Sequence, residues 1–218
     1  MTRAGQIKAL LSPGERRVFK KLSTPQKIQD FLNHFPVRRV RAGEPNVISP
    51  RRALKIKQFH CMDGAVLAAV ALAYHGYPPL LMDLQSTGFD LDHVVAPFKQ
   101  DGLWGAVSKT NHPVLRWRDP VYASPRELAM SYFAEYFWPD QGPRLGTKTM
   151  TAYSSPFNLA RYNPKKLFVD ESLDWLAEAL DESPHYPALP AQARKNLRRA
   201  DAVQITAARL SEWPKKSK

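Results

Sequence analysis

Ile28, Phe31, Leu32 and Phe35 recur at the i, i+3, i+4, i+7 spacing of one helix face, behind Ser23-Thr24-Pro25, an N-cap with proline at the first helical position. A helix is predicted there, closed by Pro36. The same start signal at Ser49-Pro50 opens a short helix from Arg51 to Lys57, with Ala53, Leu54 and Phe59 inward. Next comes the most apolar helix-like stretch in the chain, Cys61 to Tyr74. It ends at His75-Gly76, where glycine suits a left-handed C-cap, and Pro78-Pro79 prevents its resumption. Counted from Gly64, the apolar stretch is broken at His75 after about three helical turns, too short to cross a bilayer, and it reads as a buried helix.

The period then shortens. Leu80 to Leu84 is a short apolar run, Gln85 to Asp92 reads as loop, and His93 to Phe98 and Leu103 to Ser108 alternate around the turn residues Lys99-Gln100-Asp101-Gly102. An antiparallel hairpin is predicted. Asn111 to Asp119 is a polar, proline-interrupted crossing segment. Ser124-Pro125-Arg126-Glu127 then supplies cap, N1 proline and capping-box glutamate for an aromatic helix over Leu128 to Phe137. A glycine- and proline-rich loop runs from Pro139 to Gly146. Beyond it Asp170 is expected to cap a helix carrying Leu173, Leu176, Ala177 and Leu180, and Pro184 to Pro190 breaks the chain before a final basic helix. The 22 leading residues show only weak helical periodicity.

Composition bounds what these elements can do. A chain of 218 residues with 44% hydrophobic side chains can bury one substantial core, which excludes disorder throughout. One cysteine permits no intramolecular disulfide, and no apolar centre of a secretory signal leads the chain, so a cytoplasmic location is expected. The net charge of +12 raises an anionic partner such as nucleic acid. Yet the basic residues cluster toward the ends, from Arg16-Arg17 to Arg198-Arg199 and Lys215-Lys216, and no nucleic-acid-binding motif accompanies them. Solvated faces are the expected use, with no membrane partner.

The chemistry concentrates on Cys61. A thiol in the first turn of a helix meets the positive end of the helix dipole, which favours the thiolate. With His93 at the start of a strand, this is the outline of a thiol nucleophile and its base; the plain alternative is a small buried hydrophobe. His60 sits beside Cys61, where adjacent side chains are expected to diverge, and Asp63 is read as charge complementing the helix start. His60, Cys61, Asp63, His93 and His112 include good zinc ligands, but their spacing fits no recognised metal pattern, and no cofactor is expected. Tyr132, Phe133, Tyr136, Phe137 and Trp138 are core by their spacing, with an acyl pocket as the other use.

The segments Phe59-His60-Cys61-Met62-Asp63-Gly64-Ala65, Pro78 to Leu84, Asp92-His93-Val94-Val95-Ala96, Trp104 to Asn111 and Arg118-Asp119-Pro120-Val121-Tyr122 resemble a family of bacterial proteins of unassigned activity in the transglutaminase-like superfamily. The resemblance spans residues 23–160. It implies an α+β fold with a papain-like/transglutaminase-like core, in which a central helix carrying the cysteine packs on a small antiparallel sheet, with additional helices at both ends. Residues 1–22 are then a basic lead-in and residues 161–218 a C-terminal helical extension.

The resemblance also implies cysteine-dependent acyl transfer through an acyl-enzyme, with Cys61 as nucleophile, His93 as base and an amide- or ester-bearing substrate, peptide or small molecule. Hydrolysis and transamidation both remain open, as does a catalytically silent module binding an anionic partner through its basic termini. Superfamily members commonly orient the histidine with an aspartate from the next strand. Here Ser108 stands nearest that place, so Asn111 is the expected third residue, with Ser108 and Asp119 as alternatives. The backbone N–H of Cys61 is the expected oxyanion donor, with Gln58 a possible second.

Overall fold

A computed structural model describes residues 2–210. The chain opens with α1 (Arg3–Leu10) and α2 (Pro13–Lys21), the second held by a Ser12–Glu15 capping box. After α3 (Pro25–Asn33) and α4 (Pro50–Ile56), capped by Thr24 and Ser49, comes α5 (Cys61–Tyr74). The sheet begins with β1 (Leu80–Ser86), β2 (His93–Gln100), β3 (Leu103–Val107) and β4 (Arg118–Tyr122). Then follow α6 (Pro125–Phe133), β5 (Met150–Ser154), β6 (Phe157–Asn158), α7 (Asp174–Asp181), β7 (His185–Pro187), α8 (Ala191–Arg194) and α9 (Ala202–Ala208).

The sheet is antiparallel, with strand order β4-β3-β2-β1-β5-β7 and β6 pairing a further part of β1. It is larger than the expected hairpin-based sheet. β5 and β7 escape the sequence reading because they are short and carry little alternation, and β7 draws residues of the expected C-terminal extension into the same sheet. The β2–β3 turn is tighter than expected: Lys99 and Gln100 pair with Trp104 and Leu103, leaving Asp101 and Gly102, both at positive φ, as a two-residue turn.

Residues 62–74 of α5 are all buried, as a helix apolar on every side must be. One face of the sheet packs on α5: Leu81, Val94, Ala96 and Phe98 join Val66, Leu67 and Val70 in one core, closed by Ile7, Phe19, Ile28 and Leu32 from the first three helices. Met82, Leu84 and Val95 alternate to the other face and meet Leu128, Ala129 and Tyr132 of α6. Asp83 is the polar exception on the α5-facing side, since it pairs with Val94 across the β1–β2 ladder.

Three expected boundaries shift. α6 ends at Phe133, so Tyr136 to Trp138 leave the helix and are free to reach the cleft described below. α7 starts at Asp174, capped after Leu173 and not by Asp170; Ser172 Oγ instead accepts the Asp174 N–H at 2.9 Å. The final basic helix is two short ones, with Lys195, Arg198 and Arg199 between them, while Lys215 and Lys216 lie outside the described residues. No described helix is long and apolar enough to cross a membrane.

Candidate functional site

A buried ion pair fixes the start of α5. Fully buried Asp63 accepts Arg38 Nε on Oδ2 at 2.7 Å and Arg38 Nη2 on Oδ1 at 3.1 Å. It also accepts the backbone N–H groups of His60 at 2.8 Å and Ile48 at 2.9 Å. Arg38 donates further to the carbonyls of Pro45 and Asn46. With every partner supplied, this buried pair ties the helix start to the 45–48 segment, so Asp63 does more than complement the helix dipole. Arg38 carried no signal in the sequence beyond being one arginine in a basic cluster.

Cys61, the first residue of α5, is half-buried. Its Sγ lies 3.5 Å from Nδ1 and 3.8 Å from Nε2 of His60. The expected divergence of these neighbours is therefore wrong, because His60 is the N-cap: its extended backbone folds the side chain back over the first turn. The near-equal distances carry a second message. A sulfur on the axis of one ring N–H would be much farther from the other nitrogen, so His60 presents its charge to the sulfur without a directed hydrogen bond.

The electrostatics follow that arrangement. Burial pushes the Cys61 thiol up, but the charge and contact of His60, then His93, outweigh it and hold the thiol well below its ordinary pKa. His60 moves the other way, up to about 9, drawn first by the negative charge of Cys61 against the opposing effect of its own burial. Thiolate and imidazolium stabilise each other.

His93 opens β2 opposite Leu84 and is buried. Its Nε2 is 2.8 Å from Ser108 Oγ, and the single hydroxyl hydrogen of Ser108 is donated to the Leu115 carbonyl at 2.6 Å. Ser108 Oγ can then only accept from His93, which places a proton on Nε2 and leaves Nδ1 as the nitrogen that takes up a proton. Ser108 is itself clamped by Gln29 of α3, which accepts the Ser108 N–H and donates to the Ser108 carbonyl, both at 2.8 Å. Gln29 was hidden in the sequence because it occupies a buried place on a helix whose apolar spacing alone marks the inward face.

Ser108 therefore takes the place expected for Asn111. Asn111 lines the same cleft, but among the described residues no hydrogen bond joins it to His93. Asp119 accepts from Trp117 Nε1 and lies outside the cleft lining, as does half-buried Gln58. The chain leaves β3 at Val107, so Ser108 is still beside the strand while Asn111 has already turned away.

Cys61, His60 and His93 share a cleft of about 1140 Å³. Tyr136, Phe137 and Trp138 contribute to its wall, whereas Tyr132 is fully buried in the core, so the aromatic group divides between cleft wall and core. Among the described residues no group of three or more His, Cys, Asp or Glu side chains is arranged to hold a metal ion. His112 directs its Nδ1 toward the Ala208 carbonyl.

The cleft also holds Asp83, which the sequence marks only as one charge inside an apolar strand. Its Oδ2 meets His185 Nε2 at 3.1 Å, and its backbone N–H donates to Ser154 Oγ. Burial, then the neighbouring charge of Asp92, raises Asp83 to about 7.

No protein-family model matches the chain, and no curated protein is significantly similar to it. Among solved structures it is similar to Legionella pneumophila LapG (EGTA-treated), at 13% identity and a TM-score of 0.37, over 83% of this chain and 96% of that one.

Proposed function

We propose that the chain is a cysteine-dependent acyl-transfer enzyme with a papain-like, transglutaminase-like core, acting as an amidase or peptidase in preference to a cross-linker. The observation that carries this reading is a thiol at a helix start, in a cleft beside an imidazole whose outer nitrogen is committed to Ser108. Cys61 is the nucleophile. His93, in contact with Cys61, holds the proton given up by the thiol on Nδ1.

The thiolate adds to the carbonyl carbon, and the backbone N–H of Cys61 donates to the oxygen as it gains negative charge. Collapse of the tetrahedral species breaks the bond to the leaving amine or alcohol, which takes the proton from His93 and leaves a thioester on Sγ. Water gives a proton back to His93 as it attacks; the acid departs and the thiolate is restored. His60 supplies a fixed positive neighbour that favours thiolate throughout. Ser108 is a positioning residue, acting through His93.

p-Nitrophenyl acetate tests the reading. The expected result is a nitrophenolate burst of one equivalent, with an acetyl group on Cys61 detectable by intact mass, lost in Cys61→Ser and slowed at least tenfold in His93→Ala, on the scale of general-base contributions. A burst surviving Cys61→Ser, or rates indifferent to His93→Ala, would overturn it.

A further inference from the structure

Outside the Cys–His60–His93 group, the cleft carries a second chemistry. Asp83 sits on the α5-facing side of β1 beside Val94, and both line the cleft along with Leu180 and Asp181 of α7. It is 1% exposed, and its Oδ1 has no hydrogen-bond partner among the described residues. A buried carboxylate oxygen left unpaired is uncommon and costly, and where it borders a cleft it is a place for a donor from outside.

Its one side-chain partner does not settle the charge. His185 donates Nδ1–H to the Ser183 carbonyl at 2.7 Å, so only one proton is shared between His185 Nε2 and Asp83 Oδ2. Asp92 adds a second carboxylate, held beside the end of β1 by the Ser86 N–H and hydroxyl, and Asp181 a third. Three of the positive side chains on the lining are engaged elsewhere. Arg38 is bound to Asp63, Lys109 donates to the Leu32 and Phe35 carbonyls, and Arg209 donates to the Pro139 carbonyl, while His60 lies against Cys61. A chain of net charge +12 thus concentrates negative charge along one wall of its cleft.

We infer that Asp83, with Asp92 and Asp181, forms a subsite for a cationic group, so that the cleft selects peptide substrates carrying a lysine or arginine side chain near the acyl carbon attacked by Cys61. This rests on the acyl-transfer reading above. The carboxylates come from separate elements and do not form a group arranged to hold a metal ion, which suits a single organic cation reaching from the substrate with N–H donors for Oδ1.

The test pairs two thiol reagents of opposite charge on the full chain at pH 8. These are trimethylammonium-ethyl and sulfonato-ethyl methanethiosulfonate, each rate divided by that reagent's rate with free cysteine. Iodoacetamide serves as the neutral reference. The expected result is a cation-over-anion rate ratio for Cys61 that falls on the order of fivefold or more in both Asp83→Asn and Asp181→Asn, as removal of one nearby charge in a partly solvated cleft requires. Because the ratio is formed within each variant, it is insensitive to a uniform change in thiol reactivity, and Asp181→Asn carries the test if Asp83→Asn does not fold. An unchanged ratio in the folded variants, with iodoacetamide labelling still fast and dependent on His93, would overturn the subsite and leave the acyl-transfer reading standing. Slow reaction with all three reagents would overturn both.

Discussion

Gly64→Ala sets two effects of known size against each other. Gly64 lies in the first turns of α5, and a Cβ built there would stand 2.5 Å from Lys109 Cβ and 3.2 Å from Lys109 Cγ. On intrinsic propensity the change should help, since alanine in a helix interior is better than glycine by about 1 kcal/mol. The contact opposes it. Lys109 Cβ is not the loose end of a side chain: the residue is buried, and its ammonium is held by the carbonyls of Leu32 and Phe35. Relief therefore requires α5 and the segment after β3 to separate, and over-packing of this kind costs roughly 1–3 kcal/mol, occasionally more. At this distance the upper part of that range applies, so the net expectation is a loss of about 1–2 kcal/mol, the over-packing cost less the propensity gain. Urea unfolding reads the loss as a lower midpoint at unchanged slope. The same separation displaces Cys61 from the Ser108–His93 pair, so iodoacetamide labelling should slow in parallel. A variant as stable as the wild type, or more so, would refute the close approach of α5 to Lys109.

Asp63→Asn leaves Arg38 buried without its counter-charge and should destabilise by about 3–5 kcal/mol in chemical unfolding; a loss below 1 kcal/mol would show that Arg38 reaches water. Ser108→Ala leaves His93 Nε2 and the Leu115 carbonyl unpaired, at a cost of about 1–3 kcal/mol. Its distinguishing readout is iodoacetamide labelling of Cys61, which should slow in Ser108→Ala and recover in Ser108→Thr, which keeps the hydroxyl. The depressed thiol predicts iodoacetamide rates that rise between pH 6 and 8 less steeply than those of an ordinary thiol of pKa near 8.5, and a full tenfold rise per pH unit would contradict it. Asp83 binds its proton more tightly folded, up to about 7, than an unfolded aspartate, near 3.9. Its contribution is therefore full below the unfolded value and is lost as pH rises through 7, so Asp83→Asn should gain stability relative to wild type between pH 5 and pH 8, read from paired urea midpoints.

What was legible in the chain follows the physics of each signal. Caps announce themselves locally, so Thr24, Ser49 and Ser124 mark helix starts that the structure retains. The long apolar run of α5 and the His93 hairpin were equally plain. Tertiary pairings were not. β5 finds its place between β1 and β7 through partners far along the chain, with Thr151 and Ser154 diluting any alternation. The neighbours of the site divide in the same way. Cys61 and His93 stand out by residue type, but the partner of His93 depends on where the chain leaves β3. The nearness of His60 depends on a cap conformation that residue spacing does not encode.

Ser108 differs from a carboxylate in having no charge to lose. An aspartate beside the imidazole would release it on acidification, whereas a hydroxyl held by the Leu115 carbonyl, on a backbone gripped by Gln29, offers the same oxygen at every pH at which the fold survives. It also lends the histidine no negative field. The burden of favouring the thiolate then shifts to His60, so acid should quench the reactivity of Cys61 by protonating the sulfur and not by freeing His93 from Ser108.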